Sequence, residues 1–168
     1  FLPKRPKDSN EETLKKILDW FRENAELPAG YNVFGTEPLY RWDLLKFIIN
    51  YSFDWTDRRG ITSNCVLLTR NRADYLTEMK VGVLCSIDGS ETLHDKNRVF
   101  PDGSGSWKIV SKNIEYLASI RPQTEAAAVV SPEFIDDMTG NVGAILDLGI
   151  NNLALNKVQA PHRNYTFD

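Results

Sequence analysis

The sequence predicts an α+β domain, with two N-terminal helices packed on a mainly antiparallel β-sheet and one short C-terminal helix. Three observations carry this expectation. Apolar residues recur at helical spacing through the first third of the chain. Short apolar or alternating runs follow from about residue 65. Turn-forming Gly, Pro, Asp and Asn clusters separate those runs, and the shift from helical to strand-like pattern near residue 60 fits α+β order.

The first helix is expected from about Asn10 to Asn24. Ser9 reads as its N-cap, with Glu12 three residues on to complete a capping box. Leu14, Ile17, Leu18 and Phe21 form its apolar stripe, and Pro28-Ala29-Gly30 closes it. The second helix is expected from Thr36, with Pro38 in its first turn, to about Tyr51. Leu39, Trp42, Leu45 and Ile49 make one stripe, and Leu44, Phe47 and Ile48 widen it. A helix apolar over so much of its circumference is buried or lies at an interface.

Asp54 to Asn64 reads as a polar turn region. Strands are expected at Cys65–Thr69, Lys80–Ile87, Trp107–Ser111, Ala126–Val130, 142–148 and Leu153–Val158. Asp88-Gly89 is a turn signal directly after the second of these. Ser131-Pro132-Glu133 starts a short helix over 132–139, since Gly140 and Gly143 disfavour a longer one. Residues 1–8 form an extended basic arm, 9–160 a single domain and 161–168 a polar–aromatic tail.

The 168 residues suit one domain, large enough to fold without a metal or disulfide. Hydrophobic residues at 42% and charged residues at 26% match ordinary globular usage and a soluble chain. The net charge of -3 lacks the basic surplus of a polyphosphate-binding surface. There is no run of 18 apolar residues, so no membrane span is expected. The Phe1 start is compatible with a trimmed boundary or with processing. Cys65 and Cys85 are compatible with one disulfide or two free thiols. The sequons at Asn50 and Asn164 are short enough to arise by chance.

Four groups of residues bear on function. The aromatics Trp42, Phe47, Tyr51, Phe53 and Trp55 crowd the second helix and its exit. Exposed aromatics anchor interfaces, and no catalytic motif accompanies them. The function expected is therefore a non-enzymatic protein-interaction or assembly module, able to self-associate as an oligomer, with a protein or its own copy as partner and no cofactor. The second group is Glu91, His94, Asp102 and Lys108. Carboxylates, a histidine and a lysine suit metal-assisted phosphodiester cleavage, the first alternative. Pro101-Asp102 followed by Lys108 loosely resembles the PD-(D/E)xK nuclease pattern, but Ser106 stands where that pattern has an acid. Arg58, Arg59, Arg70 and Arg72 near Tyr51, Phe53, Trp55 and Tyr75 form the third group. Arginines for phosphates and rings for bases suit single-stranded nucleic acid, the second alternative. The histidines, His94 and His162, are both expected in loops. No Cys-x-x-Cys, Gly-x-Ser-x-Gly or phosphate-loop motif occurs, and no metal site is expected.

Overall fold

The chain is described by a computed structural model covering residues 10–26 and 28–157. The expected arm, the tail, Ser9, His162 and Asn164 lie outside these described residues.

Helix α1 spans Glu11–Asn24, and Asn10 caps it by accepting a hydrogen bond from the Thr13 N–H at 2.9 Å. Strand β1 (Tyr31–Val33) follows, then a 3-10 turn (Pro38–Arg41) leading into α2 (Trp42–Tyr51). Strand β2 (Arg59–Ser63) and α3 (Arg70–Glu78) come next, then β3 (Val81–Ser86) and α4 (Glu91–Asn97). Helix α5 (Trp107–Ile120), β4 (Glu125–Val130), α6 (Pro132–Asp136), α7 (Met138–Leu146) and β5 (Asn152–Lys157) complete the order.

The five strands pair in the order β1-β2-β3-β4-β5, and every pair is parallel. This corrects the expected fold class. The protein is α/β: the described residues form a five-stranded all-parallel sheet with α1 ahead of β1 and the other six α-helices between strands, not an antiparallel sheet under two N-terminal helices. Parallel neighbours need long crossover connections, and helices supply them here. When strands follow one another in sequence order with right-handed crossovers, the helices gather on one face of the sheet.

The burial pattern shows that asymmetry. Alternate residues of the central strands are buried: Arg59, Ile61 and Ser63 on β2, Val81, Val83 and Cys85 on β3, Ala126 and Ala128 on β4. They pack against Leu45 and Ile49 of α2, Ala73 and Leu76 of α3, Val110, Ile114 and Leu117 of α5, and Phe134 and Ile145. The intervening residues, Gly60, Thr62, Gly82, Leu84, Ser86, Ala127 and Val129, are only partly buried.

Two segments read as strands are helices. Trp107–Ser111 is the first turn of α5, whose Val110, Ile114 and Leu117 recur at helical spacing toward the core. Segment 142–148 falls largely in α7, which tolerates Gly140 because Asp137 accepts its N–H at 3.1 Å. Cys65–Thr69 is the connection after β2, not a strand, and Cys65 adopts a left-handed φ of 60°. Conversely, β2 falls wholly inside the expected polar turn, Asp54 to Asn64. Arg59 explains why so polar a residue opens a buried strand. Its guanidinium donates to the Met79 carbonyl at 2.9 Å, at the C-terminal end of α3, and covers the Phe53 ring just past the end of α2. The negative ends of helices favour such a cation.

Cys65 and Cys85 are both buried free thiols. No helix among the described residues is long and apolar enough to cross a membrane.

Candidate functional site

In a parallel sheet all strands end at the same edge, and binding groups collect beyond that edge. Here β1, β2 and β3 run out into a rim of three acidic or polar turns. Glu37, four residues past β1, accepts from the Leu39 N–H at 3.0 Å and the Ser63 hydroxyl at 2.9 Å through one oxygen. Its other oxygen accepts from the Asn64 N–H at 2.9 Å. A carboxylate offers about four acceptor positions, so three are used and one remains. The turn before it is open, since a Cβ on Gly35 would meet nothing within 4 Å.

Asp88 stands two residues past β3 and is 3% exposed. Arg98 grips it with two parallel bonds, Nε to Oδ2 at 2.8 Å and Nη2 to Oδ1 at 3.1 Å. The backbone N–H of Val129 on β4 adds a third at 3.1 Å. One side chain thus fastens the ends of β3 and β4 together and to the end of α4.

His94 supports this turn from behind. It is fully buried, and its Nδ1 accepts from the Asp88 N–H at 3.3 Å. The Ser106 hydroxyl donates to the Arg98 carbonyl at 2.7 Å, so it accepts from His94 Nε2 at 3.0 Å. The imidazole is therefore neutral, with its proton on Nε2. Burial first, then the nearby Arg98 cation, push its pKa down to about 4.

Beneath the rim lies the less covered face of the sheet. Gly60 and Gly82 are register partners; a Cβ on Gly60 would meet Asn32 Oδ1 at 3.0 Å, whereas one on Gly82 would meet only backbone, the Arg59 carbonyl oxygen at 3.5 Å. Asn32 donates to the Thr62 hydroxyl oxygen at 2.8 Å. Ser86, with its register partner Ala127, occupies the same face. All-parallel sheets are normally buried on both faces. Here the face carries two glycines and the Thr62 and Ser86 hydroxyls, the first of them already accepting from Asn32, beside the partly buried Leu84 and Val129.

The fold is shared with solved AdoMet complexes. The structure of native anSMEcpe with bound AdoMet superposes with a TM-score of 0.80 at 16% identity, covering 94% of this chain and 46% of that one. Native anSMEcpe with bound AdoMet and Cp18Cys peptide gives 0.81 at 16% identity, covering 94% and 47%. Streptococcus suis SuiB bound to the precursor peptide SuiA gives 0.72 at 14% identity, covering 93% and 34%. The chain thus spans less than half the length of each of these proteins. No family model and no curated protein sequence matches it.

This likeness corrects the expectation of a non-enzymatic interaction or assembly module and its nuclease and nucleic-acid alternatives: the fold is the one seen in anSMEcpe with bound AdoMet and in SuiB with its precursor peptide. The geometry agrees. Glu91, His94, Asp102 and Lys108 do not form one cluster. His94 is spent inside the fold, and Asp102 accepts from the Ser104 N–H and hydroxyl in an exposed turn. Glu91 and Lys108 are exposed, with no hydrogen bond or ion pair among the described residues. No group of metal-ligating side chains occurs among the described residues.

The arginines are dispersed too. Arg58 donates to the Pro28 carbonyl, Arg70 covers the Tyr116 ring, and Arg72 donates to the Leu39 and Leu67 carbonyls while stacking on Trp42. The aromatic group mostly faces the chain's own helices. Trp42 meets Tyr75, Phe47 stacks on Tyr51, Tyr51 donates to Asp19 of α1, and Trp55 packs between Phe21 and Tyr31. Phe53, at 49% exposure, lies under Arg59.

The sequence reading missed Glu37 and Asp88 as functional groups. For Asp88 the signal was present, an acid two residues past an expected strand; for Glu37 it was not, because β1 was not read as a strand.

Proposed function

We propose that this chain is the AdoMet-binding α/β portion of a peptide-modifying enzyme of the radical SAM class. The observation that carries the reading is the parallel sheet with one face uncovered, superposing over 94% of the chain on an AdoMet complex. AdoMet is a cation with an amino-acid head, a ribose and a flat base. The residues present fit those parts. The remaining acceptor position of Glu37 suits the ammonium, the Thr62 and Ser86 hydroxyls suit ribose oxygens, and the bare backbone at Gly82 admits a flat group. Bound there, AdoMet would supply an electron-poor sulfonium whose C–S bond is the reactive one. This chain's own part is to bind and orient it and to exclude water.

The second ligand proposed is a peptide, on the rest of the open face beside Ala127 and Val129. The support is that anSMEcpe is seen with Cp18Cys peptide and SuiB with its precursor peptide.

Equilibrium dialysis with radiolabelled AdoMet tests the reading. Saturable binding is expected for the chain as it stands. Thr62→Trp, which fills the open face without touching the core, is expected to weaken it at least tenfold with an unchanged melting temperature. Absence of saturable binding, or equal binding by the variant, would rule the reading out.

A further inference from the structure

One polar side chain stands behind the rim without facing the ligand surface. Asn141 on α7 is 2% exposed, and its amide bonds both the turn after β3 and the helix that follows β4. Its Oδ1 accepts from the Ser90 N–H at 3.0 Å and the Ser90 hydroxyl at 2.9 Å. Its Nδ2 donates to the Phe134 carbonyl of α6 at 3.3 Å. The turn it holds is pressed hard against it. Gly89 has a φ of +96°, and a Cβ there would lie 2.6 Å from Asn141 Oδ1. Only glycine allows both that backbone angle and that approach.

A buried amide is retained only when its donors and acceptors are all placed, and a misplaced one is costly. This amide joins two loops that no strand pairing joins: the turn after β3 and the helical unit after β4. Asp88 immediately precedes the Gly89–Ser90 turn and reaches across to Val129 on β4.

We infer that Asn141 is a positioning residue, which fixes the Gly89–Ser90 turn and through it the end of β3, whose Ser86 is proposed to meet AdoMet, against the end of β4. The binding consequence rests on the AdoMet reading, whereas the mechanical consequence does not.

Asn141→Ala separates the two. Amide hydrogen exchange reads the mechanics. In the variant the Val129 N–H, which Asn141 does not touch, is expected to exchange at least tenfold faster, while amides of β2 stay unchanged. AdoMet dialysis reads the consequence, with affinity expected to fall about tenfold. The control is Gly30→Ala, at the opposite edge of the sheet, where a Cβ would meet the Arg58 Cβ at 2.4 Å and destabilise the fold without reaching the rim. Its AdoMet affinity is expected to stay within twofold of the parent.

An unchanged Val129 amide in Asn141→Ala would overturn the inference whether or not AdoMet binds. So would an affinity loss no larger than that of Gly30→Ala. A parent chain that binds no AdoMet, with the Val129 effect intact, would remove the binding consequence and leave the positioning role standing.

Discussion

Asp88→Ala is expected to lower the stability of the fold by about 3 kcal/mol. The carboxylate is 3% exposed and holds a two-bond grip from Arg98 and one bond from the Val129 N–H. Removing one partner of a buried pair leaves the other charge uncompensated, at a cost of roughly 3–5 kcal/mol. The Arg98 side chain is 29% exposed, so water recovers part of that loss and the lower end applies. Urea unfolding measures it. Arg98→Met combined with Asp88→Ala is expected to cost less than the sum of the single changes by at least about 1 kcal/mol, since the two groups act as a unit. Additive losses would mean that the pair contributes nothing of its own.

The second large effect is a loss of stability in weak acid that belongs to His94. In the folded chain its pKa sits at about 4, below the ordinary value of 6.5. Between those values the unfolded chain binds a proton that the folded chain does not. Stability from this group is therefore complete above about pH 6.5 and declines as pH falls toward 4. The slope approaches about 1.4 kcal/mol per pH unit mid-window, and the whole effect is on the order of 3 kcal/mol. Two costs underlie it: the ring would have to charge while buried and beside Arg98, and Nδ1 would lose its ability to accept from Asp88. His94→Gln keeps one acceptor and one donor but cannot titrate. Urea midpoints from pH 7.5 to 4.5 are expected to fall more steeply for the parent than for the variant. Parallel curves would show that the histidine stays neutral in neither or both states.

The edges of legibility follow from residue chemistry. Strands β3, β4 and β5 were visible because runs such as Val81–Ser86 and Glu125–Val130 are apolar and bounded by turns. Strand β2 was not, because only Ile61 of its five residues is a large aliphatic. Arg59 there serves helix ends and Ser63 serves Glu37, roles that exist only in three dimensions. Helix α5 was misread because five residues of alternation outweighed the longer helical spacing of Val110, Ile114 and Leu117. Sheet direction was the costliest error. Helices α3 and α4 are short and carry few apolar residues, so the β–α–β rhythm was hidden and hairpins took its place.

The candidate site was legible only as a punctuation mark. Asp88-Gly89 reads as a turn after a strand, and it is one. That the aspartate holds two strands together, and that Gly89 is pressed against an asparagine 52 residues later, needs the fold. The aromatic concentration around α2 was conspicuous and is mostly internal packing. Interfaces and cores draw on the same side chains, so composition alone does not separate them.

Photolabelling with 8-azido-AdoMet, followed by digestion and mass spectrometry, tests most directly that ligand chemistry belongs to the uncovered face and its rim. Label is expected within residues 32–37, 60–64, 82–90 or 127–131, and unmodified AdoMet is expected to compete it away. Label confined to the outward surfaces of α3, α5 or α7, or label that AdoMet does not displace, would contradict the account.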